Sequence, residues 1–215
     1  MTVICVTVDT NHLFSDNPLA SQHRLRFNSI IKRQNWEVPF VRNLEYDQYD
    51  NPSTVYLIWR DTKNIARGVS RLCRTDRPFM LKDHFMHLVH HGKLPEGEDV
   101  LEGSRFCIDN SLPIEQRKQI AHELILAYLE YGLANSIKEI IGVMYPVYWK
   151  NLFEKNGWKP KWIGDLHKTP DGKKSRAAIL PISSELLANV RKHTGILSPV
   201  INYGTASDTI MSQSA

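Results

Sequence analysis

Residues 100–144 read VLEGSRFCIDNSLPIEQRKQIAHELILAYLEYGLANSIKEIIGVM. The segment divides into a strand over 100–109, a helix over about 114–134 and a buried strand from Ile137 to Met144. Ala121, Leu124, Ile125, Tyr128 and Leu129 recur at three- and four-residue spacing. That spacing puts one apolar face on the helix, which must pack against a sheet. Ser111-Leu112-Pro113 supplies its start.

Working outward, Val55 to Arg60 reads as a buried strand and Ile65 to Cys73 as a second. The short polar turn at 61–64 predicts an antiparallel hairpin. The run 2–8 is rich in β-branched residues and reads as a further strand. Residues around 13–34 read as helical, 37–53 as a polar loop, and 81–91 as a short helix ending near Gly92. Pro146 suits the first turn of another helix, with Gly157 just past its end. Trp162-Ile163 and 177–180 read as late strands. Strands and helices alternate irregularly, which predicts an α/β or α+β chain with a mixed sheet covered by helices; the α/β class is the expectation adopted. One domain over 1–197 is expected, with 198–215 a loosely ordered tail.

The 215 residues are 42% hydrophobic and 23% charged, which excludes disorder as the main state. A net charge of +4 is mild and dispersed, so nucleic acid is not an expected partner. Cys5, Cys73 and Cys107 form no C-x-x-C pair and lie in apolar runs, so they read as small core residues in a reducing cytoplasm. No run is long enough to insert in a membrane, and the N-terminus lacks the pattern of a secretion signal. Neither G-x-G-x-x-G nor a P-loop occurs, which argues against a dinucleotide or P-loop enzyme.

Three polar clusters stand out. Arg24-Leu25-Arg26, Trp36 and Glu45-Tyr46-Asp47-Gln48-Tyr49-Asp50 form the first, Gly68-Val69-Ser70-Arg71-Leu72 the second, and Glu102-Gly103-Ser104-Arg105-Phe106 the third. Glu102 and Arg105 sit inside an apolar strand, where a charge is costly unless paired or used. Taken alone, these clusters fit a structural ion network as well as an active site. His84, His87 and His91 share one side of a helix over 81–91, yet no known ligand spacing completes them, and no metal is expected.

In type and spacing, Arg26, Trp36, Asp47, Asp50, Arg71, Glu102 and Arg105 resemble the acyl-homoserine-lactone synthases, the LuxI-type autoinducer synthases of quorum sensing. Asp47-Gln48-Tyr49-Asp50 is similar to the family's D-x-[FY]-D stretch. Ser70-Arg71-Leu72 is similar to its R-L element. Residues 78–85, PFMLKDHF, resemble P-x-M-L-x-D-x-F, and Glu102-Gly103-Ser104-Arg105-Phe106 resembles E-x-S-R-F. The resemblance covers about 20–185. One departure is Ile30, where the family usually carries Phe.

The resemblance implies a single-domain N-acetyltransferase-like sheet, its acyl groove opening where the strands 100–108 and 137–144 part. It implies S-adenosylmethionine as a substrate, no cofactor, and an acyl donor carried on acyl carrier protein or coenzyme A. The catalytic set it implies is Glu102 as the base, with Arg105 and Asp47. Substrate contacts would come from Arg26, Ile30, Trp36, Asp50, Arg71, Phe85, Ser104, Phe106 and Val143. Carrier docking would fall to Lys150, Lys155 and Lys159. Val143 aligns where relatives making 3-oxo products often carry Thr, so an unsubstituted acyl chain is expected. The rival readings are another N-acyltransferase of this fold and a non-catalytic binding protein. Against the first, the turn 109–117 contains no glycine to cradle a pyrophosphate.

Overall fold

A computed structural model describes residues 3–168 and 172–204. Along the chain run β1 (Val3–Val6), α1 (Pro18–Arg26), β2 (Phe40–Val41), β3 (Leu44–Glu45), β4 (Val55–Arg60), β5 (Ala66–Arg74) and α2 (Met80–His84). Then follow β6 (Val100–Ile108), α3 (Ile114–Ala134), β7 (Glu139–Met144), α4 (Pro146–Tyr148), β8 (Lys161–Trp162), β9 (His167–Lys168), β10 (Lys174–Pro181), α5 (Ser184–Thr194) and β11 (Ile201–Asn202).

The described chain forms two compact units. The first holds 3–72, 105–127 and 199–204; the second holds 73–104, 128–168 and 172–198. β5, β6 and α3 each pass from one unit into the other.

In the first unit β1 pairs parallel with β11 and antiparallel with β4, and β4 pairs antiparallel with β5. The expected 55–73 hairpin is present, with Tyr56 opposite Arg71. Ile4, Val6, Leu25, Ile30, Tyr56, Ile58, Val69 and Cys107 make one buried cluster. On α3 the expected apolar stripe is buried, and a Cβ at Gly68 would collide with the Ile120 side chain. Glycine at that point of β5 lets the helix approach the strand. Burial pushes the Cys5 thiol up to about 12 and the Cys107 thiol to about 11, consistent with inert core cysteines.

In the second unit β6 runs parallel to β7, β7 pairs antiparallel with β10, and β10 pairs antiparallel with β8 and β9. The β6–β7 register runs from Val100↔Glu139 to Glu102↔Ile141 and stops there, although both strands continue. Beside that point Phe79, Leu81, Leu88, Val100, Ile141, Ile163, Ala177 and Ile179 form the core, with Phe85 and Val143 packed on it, half-buried.

Several expectations are corrected. The helix expected over 81–91 is instead α2 followed by a tight turn at Met86–Leu88. Phe85 leaves helical geometry (φ −125°, ψ 15°), and the break lets both Leu81 and Leu88 reach the core. His84, His87 and His91 therefore do not share one helix. Among the described residues no group of three or more His, Cys, Asp or Glu could hold a metal ion. The helix expected over 13–34 is α1, starting at an Asn17 cap with Pro18 first, followed by a wider π turn over Phe27–Lys32.

Within the expected 37–53 loop, β2 and β3 form a hairpin around Arg42 and Asn43, both at positive φ (51° and 64°). That is the turn whose twist matches two-residue hairpins. A further helix, not expected from the sequence, is α5, which is capped by the Ser183 side chain accepting from the Leu186 N–H at 3.2 Å and ended by Gly195. In the expected loose tail, Val200 and Ile201 are buried and β11 pairs with β1, because these two apolar residues complete the edge of that sheet. Residues 205–215 lie outside the described residues. No described helix is long and apolar enough to cross a membrane.

Candidate active site

The first unit brings three arginines and three carboxylates into one closed ring. α1 ends in Arg26, whose side chain is fully buried and donates through Nη1 and Nη2 to Asp50 Oδ1 and Oδ2 at 2.7 and 2.8 Å. Its Nε donates to Glu45 Oε2 at 2.5 Å. The other Glu45 oxygen accepts from Arg105 Nε at 3.1 Å, and Arg105 Nη2 donates to Asp47 Oδ2 at 2.7 Å. Asp47 accepts from both terminal nitrogens of Arg71 at 2.6 and 3.2 Å. Arg71 Nη1 lies 3.1 Å from Asp50 Oδ2, which closes the circuit.

The ring is charge-balanced, three against three, and all six side chains are at most 9% exposed. Buried ions survive only when paired and hydrogen-bonded on every side. The support shell meets that need: the Asp47 N–H donates to Asp50 Oδ2 at 2.8 Å, the Tyr49 N–H to Asp47 Oδ1 at 2.9 Å, and the Tyr56 hydroxyl to Asp50 Oδ1 at 2.7 Å. Burial works against the Asp50 charge, but the hydrogen bonds and charges of Arg26, with Arg71 and the Asp47 amide, hold its carboxyl far below the ordinary range. For Arg26 burial opposes the charge, and Asp50 and Glu45 overcome it and hold the guanidinium charged. Burial beside Asp50 pushes the Tyr56 phenol well up, so it stays a donor.

Arg105 carries a left-handed backbone (φ 53°) inside β6. A side-chain-bearing residue there costs on the order of 1–3 kcal/mol, and such strain persists only where surrounding contacts fix it. Glu45 and Asp47 supply those contacts.

Of the other residues expected in this unit, Ile30 lies in the core cluster with Leu25 and Tyr56. Trp36 follows the π turn, donates its backbone N–H to Ile30 at 3.1 Å, and is 36% exposed, leaving its indole accessible. Phe106 is half-buried.

In the second unit the Glu102 side chain is buried and reaches the start of α2. Its Oε2 accepts from the Met80 N–H at 3.1 Å and its Oε1 from the Leu81 N–H at 2.5 Å. These N–H groups belong to the orphan donors of a helix start, which favour an anion. Ser104 is buried, while Phe85 and Val143 pack on the same core cluster. Lys150, Lys155 and Lys159 are exposed along the turns between α4 and β8.

Glu45 is the ring member not expected from the sequence, although it opens the acidic run 45–50. A signal existed: Arg26, Arg71 and Arg105 against Asp47 and Asp50 leave one buried positive charge unmatched, and Glu45 is the nearest remaining acid in that run.

The fold is shared with known acyl-transferring proteins. One solved structure, of a CoA-dependent acyl-homoserine lactone synthase, BjaI, with SAM and isopentyl-CoA, matches all of this chain and 99% of that one, with TM-score 0.82 and 22% identity. A putative N-acetyltransferase from Lactobacillus plantarum matches 85% of this chain and all of that one, with TM-score 0.54 and 11% identity. The fold is therefore the N-acetyltransferase-like mixed sheet. The autoinducer synthase family model matches residues 10–190. An acyl-homoserine-lactone synthase of Ralstonia solanacearum is 39% identical over 146 residues, covering 66% of this chain and 71% of that protein. The chain belongs to the autoinducer synthase family.

Proposed function

We propose that this chain is an acyl-homoserine-lactone synthase that makes a quorum-sensing signal from S-adenosylmethionine and an acyl thioester. Support comes from one observation above the rest: the family match over 10–190 contains every member of the ion ring. The α-amine of S-adenosylmethionine attacks the thioester carbonyl, forming the amide and expelling the thiol. The methionine carboxylate then attacks the carbon bound to the sulfonium, closing the lactone and releasing methylthioadenosine. S-adenosylmethionine is thus a substrate, and the scheme needs no cofactor. We place the reaction in the cytoplasm, a reducing compartment that suits three buried cysteines.

The amine must lose a proton before it can attack. Glu102 takes it, directly or through a held water; two backbone N–H groups aim the carboxylate. The ring of Arg26, Glu45, Asp47, Asp50, Arg71 and Arg105 is a preformed polar wall for the zwitterionic end of S-adenosylmethionine. Its members hold one another, so little reorganisation is left for the substrate to induce. Asp47 and Arg105 act at the reacting end of that wall. Trp36 offers an exposed ring face for the sulfonium or the adenine. Phe85, Ser104 and Val143, in the second unit, are assigned to the acyl chain, and Phe106 and Ile30, in the first, to substrate contact. Lys150, Lys155 and Lys159 meet the acidic carrier when the donor is an acyl carrier protein.

Valine cannot donate a hydrogen bond to a 3-oxo group, so Val143 favours an unsubstituted chain. A donor panel tests this reading: acyl carrier protein and coenzyme A thioesters, unsubstituted and 3-oxo, each supplied with S-adenosylmethionine. Turnover led by unsubstituted donors supports the assignment; a product spectrum led by 3-oxo species contradicts it. Amide formation on another amine, without lactone, points to a general N-acyltransferase.

A further inference from the structure

A cavity of about 190 Å3 lies in the first unit, between α1 with its π turn, the start of β5, and the end of β6. Its wall includes Arg24, Asn28, Arg33, Arg67, Asn110 and Ser111. No member of the ion ring lines it, and neither does any other residue assigned above to the reaction.

The charge of this wall is unbalanced. Asp109 is its one carboxylate, against three arginines. Asp109 Oδ2 accepts from Arg67 Nη1 at 2.7 Å, and its Oδ1 accepts from the Ser111 N–H and hydroxyl at 2.9 and 2.7 Å. Arg67 is matched a second time by Asp61 at 2.8 Å. Both acids are thus spent on Arg67 and the Ser111 turn. Arg24 and Arg33, both exposed, have no carboxylate within ion-pair distance among the described residues.

Two unmatched guanidinium forks and small amide and hydroxyl side chains suit an anion with several oxygens, which an arginine fork can grip two at a time. The wall carries no aromatic ring, so it offers a nucleobase no stacking face. We propose that this cavity is a second binding site, for a phosphate-bearing anion of about diphosphate size, held by Arg24 and Arg33. Two sources share that chemistry: the phosphates of a coenzyme A thioester, and a free phosphoanion. Only the first source rests on the acyl-transfer reading above; the site itself does not.

The full chain is titrated with inorganic diphosphate by calorimetry and by phosphorus NMR. The expected result is saturable binding that weakens with salt and falls at least ten-fold in the double variant Arg24→Ala/Arg33→Ala. Lys192→Ala, which removes one exposed charge on α5, should leave it unchanged within two-fold. Absence of saturable binding, or equal weakening in the double variant and in Lys192→Ala, overturns the proposal. An unchanged thermal melt shows that the double variant remains folded. Displacement of diphosphate by coenzyme A, and more weakly by dephospho-coenzyme A, identifies the donor phosphates as the ligand. Saturable diphosphate binding with no displacement identifies a free phosphoanion. Lactone formation from an acyl carrier protein donor tests the acyl-transfer reading separately.

Discussion

Arg26 and Asp50 are locked face to face: two parallel hydrogen bonds, 2.7 and 2.8 Å, join a fully buried guanidinium to a carboxylate 24 residues away. The pair ties the end of α1 to the loop before β4. Removing one partner strands the other charge in the core, which costs about 3–5 kcal/mol for a buried pair. Arg26→Lys should also be harmful, because an ammonium cannot make both bonds to Asp50 and the third to Glu45. Chemical denaturation should show Asp50→Asn and Arg26→Lys both well below the parent, with m-values unchanged.

The same pair sets a pH dependence. The folded carboxyl of Asp50 titrates below its unfolded value, so its contribution is fully present above the unfolded pKa of ~4 and is lost as pH falls below it. The stability gap between the parent and Asp50→Asn should stay constant from pH 7 to 5 and narrow on acidification below about pH 4. Melts across that range check the sign; a gap that widens in acid contradicts it.

Glu45 bridges Arg26 and Arg105, so Glu45→Gln leaves the buried ring one positive charge in excess. Loss of stability comparable with Asp50→Asn is expected, together with turnover reduced at least ten-fold. Glu45→Asp should lose part of both, since a shorter acid cannot span both guanidinium groups. A parent-like melt and rate in Glu45→Gln would remove Glu45 from the ring's function.

Glu102→Gln replaces one acceptor oxygen of a carboxylate that serves the Met80 and Leu81 N–H groups. An orphaned buried donor costs about 1–3 kcal/mol, so the variant should melt lower as well as turn over more slowly. A base role predicts that kcat falls by far more than the folded fraction does. A rate that merely follows the folded fraction would leave Glu102 as an anchor for α2.

Trp36→Ala removes a partly exposed indole rather than a core residue, so its melt should change little. Affinity for S-adenosylmethionine should drop about ten-fold if the ring face carries a cation or stacking contact. Ile30→Ala, by contrast, opens the core cluster of the first unit and should cost about 2–5 kcal/mol.

Elements whose apolar period is long and uninterrupted were legible in the sequence. α3 and the β4–β5 hairpin follow their expected bounds closely because a stripe or an alternation leaves one buried face. The split of α2 was not legible: 81–91 is a good helix locally, and the break at Phe85 arises from where Leu81 and Leu88 must pack. α5 carried its signals, Ser183 before it, Gly195 after it and Leu186, Leu187 and Val190 on an amphipathic stretch between them, but it spans only 11 residues, a short run in which to see the period. Of the ring members, Arg105 was visible as a charge inside an apolar strand, and Arg26, Asp47, Asp50 and Arg71 through the polar clusters that resemble the family's motifs. Glu45 needed a charge count around the ring, a tertiary property.

The most direct measurement incubates the purified chain with S-adenosylmethionine and its preferred acyl thioester and follows both products by mass spectrometry. Acyl-homoserine lactone and methylthioadenosine should appear together, in equal amounts. Thioester consumed with S-adenosylmethionine left intact, and neither product formed, would contradict lactone synthesis by this chain.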